Sequence, residues 1–299
     1  MLFRSEDGFV ASLSYFGVDG EPVVNEREKF HRRDRTYRDY YHVTSEAWFG
    51  ADGGPLAVGD AYVRYEQDFD EKGNTIAVRT YGADGEKIAR NDGYDERKQY
   101  FNDQNKIIRT EYFLGGEPVM LSKGYAAIEQ DYDDAGRVIA ERYFGTEWEA
   151  IPGVKGYHEI RTEYNENGKV NAYTYFDADG QMIRSTDGYA RVETEYDEAG
   201  KTVANLYYDE AGELILTPGK EYAFVRTITE DNTVTITYYG LDREPMNLAA
   251  GYAKIVRQVD VAGRTIEETY FGADGSPVLL ADGYHAYRQV FGDDGLWLR

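Results

Sequence analysis

"YFGADGSPVLLADGYHAY", residues 270–287, strings together an aromatic pair, an acidic Gly turn, a short apolar run and a Gly-Tyr step. Its opening pair recurs upstream. The second aromatic of the pair stands at Phe16, Phe49, Tyr81, Phe113, Phe144, Phe176, Tyr208, Tyr239 and Phe271, at separations of 33, 32, 32, 31, 32, 32, 31 and 32 residues. Anchors that regular mark an internal repeat, which governs the fold before any local propensity does.

Aligned on that anchor, a unit reads Tyr-Phe-Gly-x-Asp-Gly-x-Pro-Val, a variable stretch, Gly-Tyr-Ala, a run ending Tyr-Asp-x-x-Gly, and seven residues back to Tyr. Each unit therefore carries two turn signals. One is Gly-x-Asp-Gly, as at Gly50 to Gly53 and Gly272 to Gly275; the other is Asp-x-x-Gly, as at Asp133 to Gly136, Asp197 to Gly200 and Asp260 to Gly263. Gly supplies positive φ and Asp caps the turn through its side chain, so acidic residues collect there for backbone reasons.

Between the turns the pattern alternates. Ala190, Val192, Thr194 and Tyr196 fall on one face against Tyr189, Arg191, Glu193 and Glu195, and Ala253, Ile255 and Val259 fall against Tyr252, Lys254 and Gln258. That is the period of a half-buried antiparallel strand. The expected fold is all-β: a tandem array of double-hairpin repeats, each about 32 residues long, forming an elongated solenoid-like stack. The alternative is a closed propeller-like ring. The expected organisation is a single repeat array over 1–299, with atypical N-terminal capping units at 1–48, seven regular repeats at 49–270 and a truncated C-terminal repeat at 271–299. The sequence enters at the second turn of a unit, at Gly8, and leaves at that same turn, at Gly292 to Gly295. An excised piece of a longer repeat region and a ring closed by its two ends are both compatible with that phase.

Some units are worn. The hairpin turn is Asn102-Asp103-Gln104-Asn105 in one and Glu-Asp-Asn-Thr from Glu230 in another. The deepest departure is "NEREKFHRRDRTYRDYYHVTSEAW", residues 25–48, which keeps the spacing but loses the Gly-Tyr and the second turn. It also holds Arg32, Arg33, Arg35 and Arg38, a basic island in an acidic chain. That island is read as a degenerate terminal unit whose Arg residues neutralise the acidic turns of the next repeat, or as an anionic-ligand or partner patch.

Composition narrows the chemistry. Tyr reaches 28 and Gly 32, while the formal charge is −22, so a phosphate backbone is repelled and nucleic acid is not an expected partner. There is no Cys, which excludes disulfides, thiolate zinc sites and Cys nucleophiles. No run approaches a membrane span, and the first residues lack the apolar core of a signal peptide. His31, His42, His158 and His285 have no metal-ligand spacing; His158 and His285 occupy a position filled elsewhere by Ala126, Ala190 and Ala253, so they are read as packing residues. The loop opening "FDADGQ" at Phe176 lacks an EF-hand's bidentate Glu, since its twelfth position is Gly188. No catalytic residue, cofactor or metal is expected, and the chain is not expected to be an enzyme, because an active site needs singular residues and these are plural.

The remaining candidate site is the Gly-Tyr position itself: Tyr62, Tyr94, Tyr125, Tyr157, Tyr189, Tyr222, Tyr252 and Tyr284. If exposed, this ladder suits a multivalent glycan-binding module, since sugar faces stack on rings and nearby Asp and Asn accept hydroxyls. If covered by neighbouring repeats, it forms a second small core, and the chain is a structural or protein-interaction scaffold or spacer beside an enzyme domain.

The phrase "YFGADG.PV…GYA…YD..G" resembles the Tyr-rich tandem hairpin repeats of bacterial surface-associated proteins, including regions appended to glycosyltransferase-like or teichoic-acid-polymerase-like enzymes. It is similar, more distantly, to YD-type repeats and to the hairpins of glucan- and choline-binding modules. The resemblance implies a cell-surface or extracellular location within a larger protein, with a cytoplasmic one as the alternative. It also implies a glycan or cell-wall polymer, or a protein partner or fused domain, as the binding partner. The chain departs from the choline-binding pattern: Trp48, Trp148 and Trp297 sit at no fixed place in the unit, so a Trp cage for choline is not expected.

Overall fold

A computed structural model describes residues 2–4, 8–292 and 297–298. Among them there is strand and turn and no helix. The chain divides into two compact units, residues 1–154 and 155–299. In the first, consecutive hairpins pair Arg32–Asp39 with His42–Phe49, Arg64–Phe69 with Thr75–Tyr81, Glu96–Phe101 with Ile107–Leu114, and Ala127–Tyr132 with Val138–Phe144. The second arm of each hairpin then takes the next hairpin's first arm as an antiparallel neighbour, as in Ser45↔Glu66 and Ala77↔Lys98. The sheet of this unit is an open meander that does not close on itself.

The second unit repeats the plan with Glu159–Tyr164 and Val170–Phe176, Arg191–Tyr196 and Thr202–Tyr208, Phe224–Glu230 and Thr233–Tyr239, and Lys254–Val259 and Thr265–Phe271. The ladder is interrupted once inside this unit: a new sheet starts at Phe224 and runs to Ala286–Arg288. The sequence there reads Gly219-Lys220-Glu221-Tyr222 in place of a direct Gly-Tyr step. The longer turn closes through Thr217 N to Tyr222 O at 2.9 Å, and Thr217 Oγ1 donates to Ala223 O at 2.7 Å. In neighbouring units that carbonyl joins the ladder, as when Tyr175 N donates to Ala190 O at 2.9 Å. The two sheets are joined instead by a buried cluster of Ala204, Leu206, Tyr208, Ala223 and Phe224.

Both turn signals fold as the residue types demand. At the hairpin tips Asp260 Oδ1 accepts N–H groups from Ala262 and Arg264, both at 2.9 Å, and Gly263 takes φ 79°. The Gly-x-Asp-Gly turn closes an isolated bridge beside the strand end, as in Phe271↔Pro277, with Gly275 at φ 80°. A unit is thus two linked hairpins. Worn turns keep the geometry with other residues: Asn105 takes φ 59°, and Asp231 takes φ 49° in a two-residue turn between Glu230 and Thr233. The Asp293 to Gly295 part of the last turn signal lies outside the described residues.

The N-terminal departure is also a regular unit in disguise. Asn25 N donates to Phe30 O at 2.9 Å and Lys29 takes φ 67°, so Asn25–Phe30 forms the turn that Gly-Tyr closes elsewhere. Phe30, only 2% exposed, stands in the Tyr place and meets Tyr15 at 5.7 Å. The lost hairpin signal is a tip made of Tyr40 and Tyr41.

Candidate functional site

The candidate site is built by the turns. In a regular unit Ser185 N donates to Tyr189 O and Gly188 N donates back to Ser185 O, both at 2.9 Å, while Gly188 holds φ 94°. A side chain on residue 188 would be strained there, which is why Gly precedes Tyr. The turn aims the Tyr189 ring at the first aromatic of the flanking pairs, 5.8 Å from Tyr175 and 4.8 Å from Tyr207.

The same contact recurs until the rings form columns. In the first unit Tyr94, Tyr112, Tyr125 and Tyr143 follow one another at 5.0, 6.2 and 5.3 Å, and Tyr62 lies 5.8 Å from Trp48. In the second unit Tyr157, Tyr175, Tyr189 and Tyr207 form one column, beginning with a stacked pair at 4.5 Å. Tyr222, Tyr238, Tyr252, Tyr270 and Tyr284 form another beyond the sheet break. Centroid separations of this size are the favourable range for offset and edge-to-face aromatic pairs.

The Gly-Tyr rings therefore pack against other rings, mostly edge-on or tilted. Tyr94 is 7% exposed, Tyr284 at the end of its column is 37% exposed, and the other six are half-buried. Burial, with the neighbouring Tyr112 and Glu141 adding to it, pushes the Tyr125 hydroxyl up to about 12. Tyr175 and Tyr270 are pushed upward chiefly by burial as well.

The strand alternation does not extend back into the Gly-Tyr step. Tyr207 stands opposite Val192 in the register, so the ring that Tyr189 touches lies on the face of Val192, not that of Arg191. Likewise Tyr252 meets Tyr270, which stands opposite Ile255. The reason is local: Tyr189 and Ala190 precede the strand, in a turn and bend whose path is set by the positive φ of Gly188 and not by the pleat.

The second aromatic of each pair forms a different row. Arg32 lies 4.0 Å from the Phe49 ring centre, Arg64 4.0 Å from Tyr81, Lys98 4.3 Å from Phe113, Arg161 3.9 Å from Phe176 and Lys254 4.7 Å from Phe271. In these five hairpins the row was legible as a basic residue at the first or third place of the first arm, but it emerges only once the hairpin register is known. Carboxylates complete it: Tyr208 donates to Glu193 at 2.6 Å, and Arg79 pairs with Asp68 and, at 3.2 Å, with Glu96.

The basic island enters the same scheme. Arg32, Arg33, Arg35 and Arg38 lie on one strand. Arg32 is 3.3 Å from Asp34, Arg33 lies over Phe30 at 5.5 Å, and Arg35 pairs with Glu46. Arg38 Nη1 donates to Asp70 O at 2.6 Å, reaching the hairpin turn of the next repeat. Lys72 repeats that reach to Asp103 O at 3.3 Å and Lys169 to Gly200 O. These cations bind the chain's own turns and rings.

The histidines pack. His31 and His158 are buried, and His31 and His285 meet Phe16 and Phe271 edge-on at 5.4 and 5.7 Å. Asp95 fills the same repeat position and is 2% exposed; its Oδ2 accepts Gly115 N at 2.7 Å, in the one unit whose first turn is shortened to Gly115-Gly116. Among the described residues no three His, Asp or Glu side chains are grouped to hold a metal.

Fold and columns together define a class: an all-β tandem-repeat protein in which double hairpins are joined by aromatic columns. No family model matches the chain, and no curated protein matches it. Among solved structures, it is similar to a Photorhabdus luminescens Tc holotoxin pore carrying a TccC3 mutation, at 11% identity and a TM-score of 0.29 over 99% of this chain. It is similar also to TcdB2-TccC3-TEV, at 11% and 0.29, and to TcdB2-TccC3 without its hypervariable C-terminal region, at 10% and 0.28. The matched region spans 15–16% of those chains.

Proposed function

We propose that the chain is a non-catalytic repeat scaffold, whose aromatic columns are its joints. The observation that carries this reading is the packing of the Gly-Tyr rings: Tyr125, Tyr189 and Tyr252 each lie between the first aromatics of successive pairs, so their contacts hold one repeat to the next. Stability of such an array is a sum of weak units and strong neighbour contacts. The scaffold positions a protein partner or a fused domain, at a cell surface, within a longer protein. Hydrogen exchange tests this. Tyr175→Ala and Tyr238→Ala should lower amide protection in the hairpins on both sides of the substituted ring; protection lost only in the substituted hairpin would sink the reading.

A second reading keeps the ladder as a glycan- or wall-polymer-binding surface. It is supported by the partial exposure of most of the rings and of Tyr284 in particular. A cell-wall pulldown of the chain and of its Tyr189→Ala, Tyr252→Ala variant separates the two: retention that depends on those rings favours the ladder.

A further inference from the structure

Among the described hairpin tips, the one between Asp39 and His42 carries aromatic residues at both of its turn positions. Tyr40 and Tyr41 occupy the two turn positions between Asp39 and His42, and they are 69% and 85% exposed. Their rings stand at 87° with centroids 5.0 Å apart, forming an open right-angled corner. At the other described hairpin tips no aromatic ring stands in the turn: they carry Asp, Asn, Glu, Gln, Lys, Gly, Ala and, at Val261, one exposed aliphatic side chain, and apolar ring surface is costly to leave in water. The rings that build the columns are buried or half-buried apart from Tyr284, whereas these two stand far more exposed.

The base of the tip is held from several sides. Phe9 backs Tyr40 at 5.6 Å and Tyr37 at 5.4 Å, and Tyr37 Oη donates to Val10 O at 2.8 Å. Asp39 Oδ1 accepts Tyr41 N at 3.1 Å and lies 2.5 Å from His42 Nδ1, while its Oδ2 accepts Arg38 Nε at 3.1 Å. Arg38 is pinned in turn to Asp70 O, and the His42 ring rests on Phe69 at 4.8 Å. The corner is therefore presented by a locked frame, and preorganisation is what lets a small contact bind at all.

We propose that Tyr40 and Tyr41 form a glycan-stacking site for β-linked, gluco-configured oligosaccharides. With every ring substituent equatorial, such a pyranose offers a face of axial C–H groups that lies flat on one phenol ring while the perpendicular ring closes its edge. The two phenol hydroxyls and the frame of Arg38 and Asp39 supply donors and acceptors for the sugar's rim. The size of the feature favours a sugar over a protein: a stable protein interface needs roughly 800 Å² per partner, far more than a two-residue tip presents. The proposal stands apart from the scaffold reading, which uses the covered rings.

Saturation-transfer NMR on the full chain with cellotetraose and chitotetraose tests it. The expected result is transfer to the sugar's axial C–H protons with a dissociation constant on the order of 1 mM, weakened at least about tenfold in Tyr41→Ala. Tyr41→Phe and Tyr189→Ala should retain binding, with all melting temperatures unchanged for the exposed-tip variants. No transfer to the unsubstituted chain overturns the proposal and leaves the tip to a protein partner. Undiminished transfer in Tyr41→Ala, or loss in Tyr189→Ala alone, also overturns it and moves the site to the columns. Failure of the scaffold reading is detected separately, by hydrogen exchange.

Discussion

The Arg90 guanidinium lies over two ladder rings at once, 5.4 Å from the centre of Tyr62 and 5.8 Å from that of Tyr94. It stands where the column of the first unit lacks a ring. The first residue of that unit's aromatic pair is Thr80, fully buried, with its hydroxyl donating to Ile88 O at 2.8 Å. A cation held at 3.1 Å from Asp60 thus replaces an aromatic contact. Arg90→Ala should lower the unfolding free energy by about 1–2 kcal/mol, and Arg90→Lys by less, because a planar guanidinium can lie against both rings. Denaturant midpoints measure this; equal losses in the two variants would count against the bridging role.

The columns also set a pH limit. Burial raises the Tyr125 hydroxyl from its ordinary 10.0 to about 12, so the folded chain holds the neutral form more tightly than the unfolded chain does. That contribution is whole below pH 10.0, is lost as pH rises, and is gone above about 12. The chain should therefore unfold on alkaline titration within that window, with phenolate absorbance and loss of strand signal rising together in the column tyrosines. Ionisation of most tyrosines well before unfolding would show the columns to be open to water.

Gly275 tests the turn chemistry free of packing. It takes φ 80°, and a methyl group added there would meet no atom within 4 Å. Gly275→Ala should cost about 1–2 kcal/mol from backbone strain alone, and Gly275→Asn less. Thermal unfolding of the two variants gives the comparison, and a neutral alanine would remove the reason for the Gly in every such turn.

The sheet break within the second unit should open more readily than the regular joints beside it. Its loop is exposed from Pro218 to Glu221, and the strands on either side are joined through side chains such as Leu206 and Phe224. Brief trypsin treatment should cut first after Lys220, since exposed backbone with few local hydrogen bonds opens at low cost. Phe224→Ala should speed that cut and destabilise the unit by about 3–5 kcal/mol. First cleavage inside a regular hairpin would show that the break is no weaker than its neighbours.

Much of this was legible in the residues. The anchors from Phe16 to Phe271, the Gly at most positive-φ turn positions and the Asp or Asn that caps most hairpins are local signals, and local geometry answers them directly. The worn stretch at residues 25–48 was harder, because Phe30 replaces Gly-Tyr without sharing a residue with it; only the turn bond from Asn25 to Phe30 identifies the substitution. The face of the ladder was misplaced by extending a two-residue period through Gly188, where the chain leaves the pleat.

By itself, then, the sequence determined the unit, its length, its two turns and its all-β character, since spacing, Gly and Asp act over a few bonds. Which rings a ladder tyrosine touches was decided only by the tertiary structure. The rings that cover Tyr189 come from Tyr175 and Tyr207, fourteen residues before it and eighteen after, and no spacing within one unit states which side of the sheet they share. Register brings them together, and once they touch, burial does the rest.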